Sequence, residues 1–138
     1  MWILDNSVII KWLFENEPLH QKALLVRKEV ATKPNQFIIP TLCYSELIHV
    51  LSKKTNRDLV FVNQCLEILM TIGIRTQGLS HETLLTAAQL TCEGFSGYDA
   101  TYLALAKELG GKWLTADLVA VKKDNHKHSV WLDHWDSN

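Results

Sequence analysis

Apolar runs of three or four residues, each followed by a helical stretch, recur along the whole chain, and that alternation leaves few folds open. Trp2-Ile3-Leu4 suits a buried strand, and Ser7 reads as the N-cap of a helix running through Phe14. Pro18 starts a second helix, with Leu19, Ala23, Leu24 and Val30 on one side. Phe37-Ile38-Ile39 is the second strand, and Pro40-Thr41 opens a helix to Lys54. Asn56 caps a further helix from Arg57 to Ile72, and Ile74–Gln77 is a short extended piece. Ser80 caps a helix that stops at Gly94, and Tyr98–Leu109 forms the next, closed by Gly110-Gly111. Lys112–Thr115 is a strand, Leu118–Lys123 a short helix and Val130–Leu132 a last strand. Strands separated by helices predict an α/β fold, a parallel central sheet with helices on both faces. With 138 residues, 47% of them hydrophobic, and no internal repeat or linker, one domain over 1–138 is expected.

The formal net charge is −1, so no overall field draws the chain to nucleic acid, and any such contact has to be local. Cys43, Cys65 and Cys92 are widely spaced without a C-x-x-C, which predicts reduced, mostly buried thiols in a cytoplasmic protein. Met1 leads straight into a strand pattern, so no secretory leader is expected. No apolar run approaches the ~20 residues of a membrane span.

Four acids stand where folding alone has little use for them. Asp5 ends the first strand, and Asp117 follows the strand at Lys112–Thr115. In a parallel sheet, function gathers at the carboxyl ends of the strands, so both face one rim. Glu46 interrupts an apolar helical row, Leu42-Glu46-Val50, and Asp99 opens a helix with Tyr102, Leu103 and Ala106 on its own side. Each has an ordinary reading as well: turn residues for Asp5 and Asp117, a snorkelling stripe edge for Glu46, a helix cap for Asp99. The other eleven acids read as solvated surface. If the fold gathers the four, their oxygen donors suit Mg²⁺ or Mn²⁺ rather than zinc. Ser7, Ser96 and Thr115 lie two or three residues from these acids, where hydroxyls orient carboxylates or simply cap.

Lys11, the Lys53-Lys54-Arg57 cluster and the Lys122-Lys123-Lys127 group are candidate phosphate contacts or plain solvated faces. His126, His128 and His134 match no zinc spacing and read as surface, and His49 as a packed or capped histidine.

Trp2-Ile3-Leu4-Asp5-Asn6-Ser7-Val8-Ile9-Ile10-Lys11-Trp12-Leu13 resembles the opening of PIN-domain ribonucleases, and more narrowly of VapC-type toxins of prokaryotic toxin–antitoxin pairs. Tyr44-Ser45-Glu46-Leu47-Ile48-His49-Val50-Leu51, Gly97-Tyr98-Asp99-Ala100-Thr101-Tyr102 and Leu114-Thr115-Ala116-Asp117 resemble the following acidic motifs in the same order. The resemblance implies that Asp5, Glu46, Asp99 and Asp117 are metal-binding catalytic acids, with Ser7 and Thr115 as supporting hydroxyls. It further implies an RNA phosphodiester substrate, a homodimer and a cognate antitoxin. Two departures stand out: His49 where such toxins often carry Asn, and Leu118-Val119 after Asp117 where a polar residue is frequent. An acidic position some relatives use there is absent, which leaves the number of ions open.

Two other functions remain at this stage. A phosphoacceptor domain, either a haloacid-dehalogenase-like phosphatase or a receiver, also ends its first strand in Asp; the phosphatase needs a second Asp where this chain has Ser7. A PIN-like binding module with a decayed site is the other.

Overall fold

In a computed structural model describing residues 1–137, five strands form one sheet: β1 (Trp2–Leu4), β2 (Phe37–Pro40), β3 (Arg75–Gln77), β4 (Lys112–Thr115) and β5 (Ser129–Trp131). Seven helices connect them: α1 (Asn6–Leu13), α2 (His20–Thr32), α3 (Leu42–Lys54), α4 (Leu59–Thr71), α5 (His81–Cys92), α6 (Gly97–Glu108) and α7 (Leu118–Lys123). All four strand pairings are parallel, in the order β3-β2-β1-β4-β5.

Parallel strands covered on both faces need continuous apolar runs, and Phe37-Ile38-Ile39-Pro40 is buried at every position. The polar run Arg75-Thr76-Gln77 is tolerated because β3 is an edge. From β1 the chain steps outward to β2 and β3, then returns past β1 to β4. Right-handed crossovers put α1–α4 over one face and α5–α7 over the other. The winding reverses between β1 and β4, and that switch point is where such sheets open a crevice. Gly111 keeps the two strands in register at their start, since a Cβ there would stand 2.6 Å from the Met1 carbonyl oxygen.

Several boundaries differ from the sequence reading. The N-cap of α1 is Asp5, whose Oδ1 accepts from the Ser7 N–H at 3.1 Å; Ser7 lies inside the helix. Helix α2 starts at His20, because successive turns (Glu17 N to Phe14 O, His20 N to Glu17 O) occupy the stretch around Pro18, and Leu19 takes a left-handed φ of 62°. Asp58, not Asn56, caps α4 through the Phe61 N–H, while Asn56 and Arg57 sit at φ 51° and 67°. Cys92 is exposed, unlike Cys43 and Cys65. Asp124, expected at the surface, is buried: its Oδ2 accepts from the His128 N–H and the Ser129 hydroxyl, tying α7 to β5. Among the described residues no helix is long and apolar enough to cross a membrane.

Candidate active site

Leu4 of β1 pairs with Leu114 of β4, and the Asp5 N–H continues the ladder to the Leu114 carbonyl at 3.0 Å. One residue further, the Asp5 carboxylate meets the end of β4. Its Oδ2 accepts from the Thr115 hydroxyl at 2.6 Å and from the Trp113 indole N–H at 3.2 Å. Thr115 Oγ1 also accepts from the Asp117 N–H at 3.1 Å. Ser7 Oγ lies 3.4 Å from Thr115 Oγ1 and accepts from the Ala116 N–H at 3.1 Å. Ser7 and Thr115 therefore knit the first turn of α1 to the β4–α7 connection around Asp5.

Burial pushes the Asp5 carboxyl up to about 6; the bonds from Thr115 and Ser7 oppose that rise, and the Asp99 charge adds to it. Burial likewise lifts Glu46 to about 7, against hydrogen bonds from Tyr102 and Asn6 and with the charges of Asp5 and Asp99 adding. The Tyr102 hydroxyl donates to Glu46 Oε1 at 2.8 Å. Asp99 is raised by burial and by the facing Asp117, with Ser96 and Lys123 opposing. The cap of α6 is Ser96, which accepts from the Asp99 N–H at 3.1 Å, so the Asp99 carboxylate is not the helix cap. Asp117 does cap its helix, α7, accepting from the Ala120 N–H, and keeps an exposed side chain.

All four acids line one open cleft of about 460 Å³, whose walls also include Asn6, Ser7, Lys11, Glu17 and Lys54. Of the basic candidates, only Lys11 and Lys54 lie in it. Lys123 turns away to the Gly94 carbonyl and the Phe95 ring. His49 is exposed, not packed, on a neighbouring hollow it shares with Glu46. Sequence reading missed Tyr102, Trp113 and Glu17 as members of this region. Tyr102 carried a signal, one turn after Asp99 on the same helical face; the other two had none.

The donor set is carboxylate oxygen throughout, and burying these acids without a cation is unfavourable, as the raised Asp5 and Glu46 show. A hard divalent cation fits both facts. Among the described residues, no group of three or more His, Cys, Asp or Glu side chains is close enough together to hold a metal ion as it stands.

Fold and cleft together define a small doubly wound α/β domain with an acidic pocket at its switch point. The PIN-domain family model matches residues 2–125, and the chain belongs to that family. PIN domains are generally nucleases, and PIN nucleases generally use divalent metals. No curated protein matches the sequence. Among solved structures, PAE2754 from Pyrobaculum aerophilum superposes with a TM-score of 0.73 at 16% identity, covering 96% of this chain and 83% of that one. VapC20 of Mycobacterium tuberculosis, a toxin that cleaves the sarcin–ricin loop, gives 0.71 at 15% identity, over 88% of this chain and 94% of that one. At these identities the likeness is one of fold.

Proposed function

We propose that this chain is a Mg²⁺- or Mn²⁺-dependent endoribonuclease acting as the toxin of a toxin–antitoxin pair. The observation that carries this reading is the convergence of Asp5, Glu46, Asp99 and Asp117 on one cleft at the carboxyl ends of β1 and β4. Asp5, Glu46, Asp99 and Asp117 would hold the cation, Asp5 being the most buried of the four. When bound, the ion activates a water and offsets charge on the leaving oxygen of an in-line displacement. The protein's part is orientation: Thr115, Ser7 and Trp113 fix the Asp5 carboxylate, and Tyr102 fixes Glu46. A phosphoacceptor role has no such support: a phosphatase of that kind needs a second Asp two residues after Asp5, where this chain has Ser7, whose hydroxyl accepts from the Ala116 N–H.

The partners in this reading are RNA, a second copy of the chain and a cognate antitoxin in the cytoplasm. The exposed apolar side chains Leu59, Val60, Ile68 and Met70 of α4 give a protein partner a surface to cover. The test is cleavage of RNA by purified protein with Mg²⁺ or Mn²⁺, and its absence in EDTA. Undiminished cutting in excess EDTA removes the metal from the proposal; no cutting with either ion removes the nuclease. Growth arrest on expression, relieved by a small protein encoded next to this gene, tests the toxin assignment.

A further inference from the structure

The acid cleft carries positive charge at one end only, and that charge is already occupied. Ser7 and Lys11 stand one turn apart on α1, and Glu46, Val50 and Lys54 follow one another at helical spacing on α3; all five line the cleft. Each wall therefore runs from an acid or hydroxyl near the strand ends to a lysine further out. By helix rise the lysines lie roughly 6 Å beyond Ser7 and roughly 12 Å beyond Glu46.

Between the two lysines sits one carboxylate from the turn after α1. Glu17 Oε2 takes the Lys11 ammonium at 3.3 Å, and Glu17 Oε1 takes that of Lys54. Side-chain exposure at Lys11 is only 13%, low for a lysine, so its ammonium is held in the cleft and not merely solvated. A carboxylate bridging two ammonium groups presents its oxygens as a phosphodiester would. The triad keeps one net positive charge.

We propose that Lys11 and Lys54 form a phosphate subsite for the strand flanking the scissile bond, and that Glu17 holds that subsite in the free protein as a competing anion. This rests on the ribonuclease reading of the acid cleft. Substrate binding is then an exchange: a backbone phosphate takes the two ammonium groups and the Glu17 carboxylate swings to solvent from its turn. The subsite reads backbone charge, not base identity or the 2′-hydroxyl. Glu17 lowers the affinity for any polyanion, so that only a strand also engaged at the acids displaces it.

The test is binding of a short single-stranded oligoribonucleotide, followed by fluorescence anisotropy in EDTA, for the whole protein and its Glu17→Gln variant. Glu17→Gln should bind roughly three- to tenfold tighter, the scale of two partly exposed ion pairs released from competition. Its dependence of log K on log salt should steepen by about 0.7 to 1.4, one or two single-strand phosphate contacts. A DNA oligomer of the same sequence should gain equally. Adding Lys11→Gln and Lys54→Gln to Glu17→Gln should erase both gains, which a merely structural role for Glu17 would not predict. Unchanged or weaker binding by Glu17→Gln, in a protein that cleaves RNA with Mg²⁺, overturns the subsite and spares the ribonuclease. Tighter, more salt-sensitive binding without metal-dependent cleavage by any form keeps the Glu17-masked phosphate site but overturns the ribonuclease, and with it the assignment to a strand flanking a scissile bond.

Discussion

The Tyr102 hydroxyl donates to Glu46 Oε1 at 2.8 Å, joining α6 to α3 across 56 residues of sequence. The same phenol ring stacks on Trp113, centroids 6.1 Å apart, and the Trp113 indole donates to Asp5 Oδ2. One aromatic pair thus aims two carboxylates at one cleft. Tyr102→Phe keeps the stack and removes one bond to Glu46. Cation affinity or cleavage should fall ~10–100-fold, the usual loss for a partner behind a metal ligand. Mn²⁺ titration followed by calorimetry reads it directly, and wild-type affinity in the variant would refute the role.

Asp5→Asn and Asp99→Asn should abolish RNA cleavage while preserving the fold. Each is close to isosteric, but Asn has one acceptor oxygen where Asp5 uses two, so Asp5→Asn should lose about 1–3 kcal/mol while its circular dichroism stays that of the folded protein. Variants that unfold would assign Asp5 and Asp99 to structure instead.

Thr115 carries two duties, donating to Asp5 and accepting from the Asp117 N–H. Thr115→Val keeps the shape and leaves that N–H and the Asp5 oxygen short of partners, a loss of about 1–3 kcal/mol in a buried setting. Thr115→Ser should restore both stability in urea melts and cleavage. If valine proves as good as threonine, the hydroxyl has no part in the site.

Asp5 rises from 3.8 to about 6 and Glu46 from 4.5 to about 7. A carboxyl with a higher pKa in the fold than in the unfolded chain binds its proton better when folded. Its contribution to stability is full below about pH 4 and is lost as pH climbs toward about 7. Metal-free protein should therefore melt at a lower temperature near neutrality than near about pH 5, and the slope should flatten in Asp5→Asn. Saturating Mg²⁺ should restore the neutral-pH stability, because the cation favours the ionised acids. Cleavage should run the other way, falling as acid protonates the same groups. A melting temperature that rises steadily through this window in EDTA would contradict the assignment.

Local signals in the chain carried a long way. Lys112–Thr115 and Leu118–Lys123 were readable to the residue, because Gly110-Gly111 stops the helix before the strand and Asp117 and Asp124 bracket the short helix. Caps were harder: Asp5 and Ser7, or Asn56 and Asp58, are equally good cap types two residues apart, and backbone dihedrals chose between them. The burial of Asp124 went unread because its partners come from the turn into β5. Glu17 looked like an exposed loop acid because its partner Lys54 is 37 residues away.

The sequence alone determined the α/β alternation, the one-domain scale and the four acids worth attention, since hydrophobic period, strand-end position and stripe interruption are local properties. Only the tertiary structure decided which oxygens are held and by what. The β1–β4 pairing sets Thr115 and Trp113 against Asp5 across 110 and 108 residues, and no local pattern encodes which strand becomes the neighbour of β1. That pairing follows from the reversal of winding, which depends on how whole helices cover the sheet.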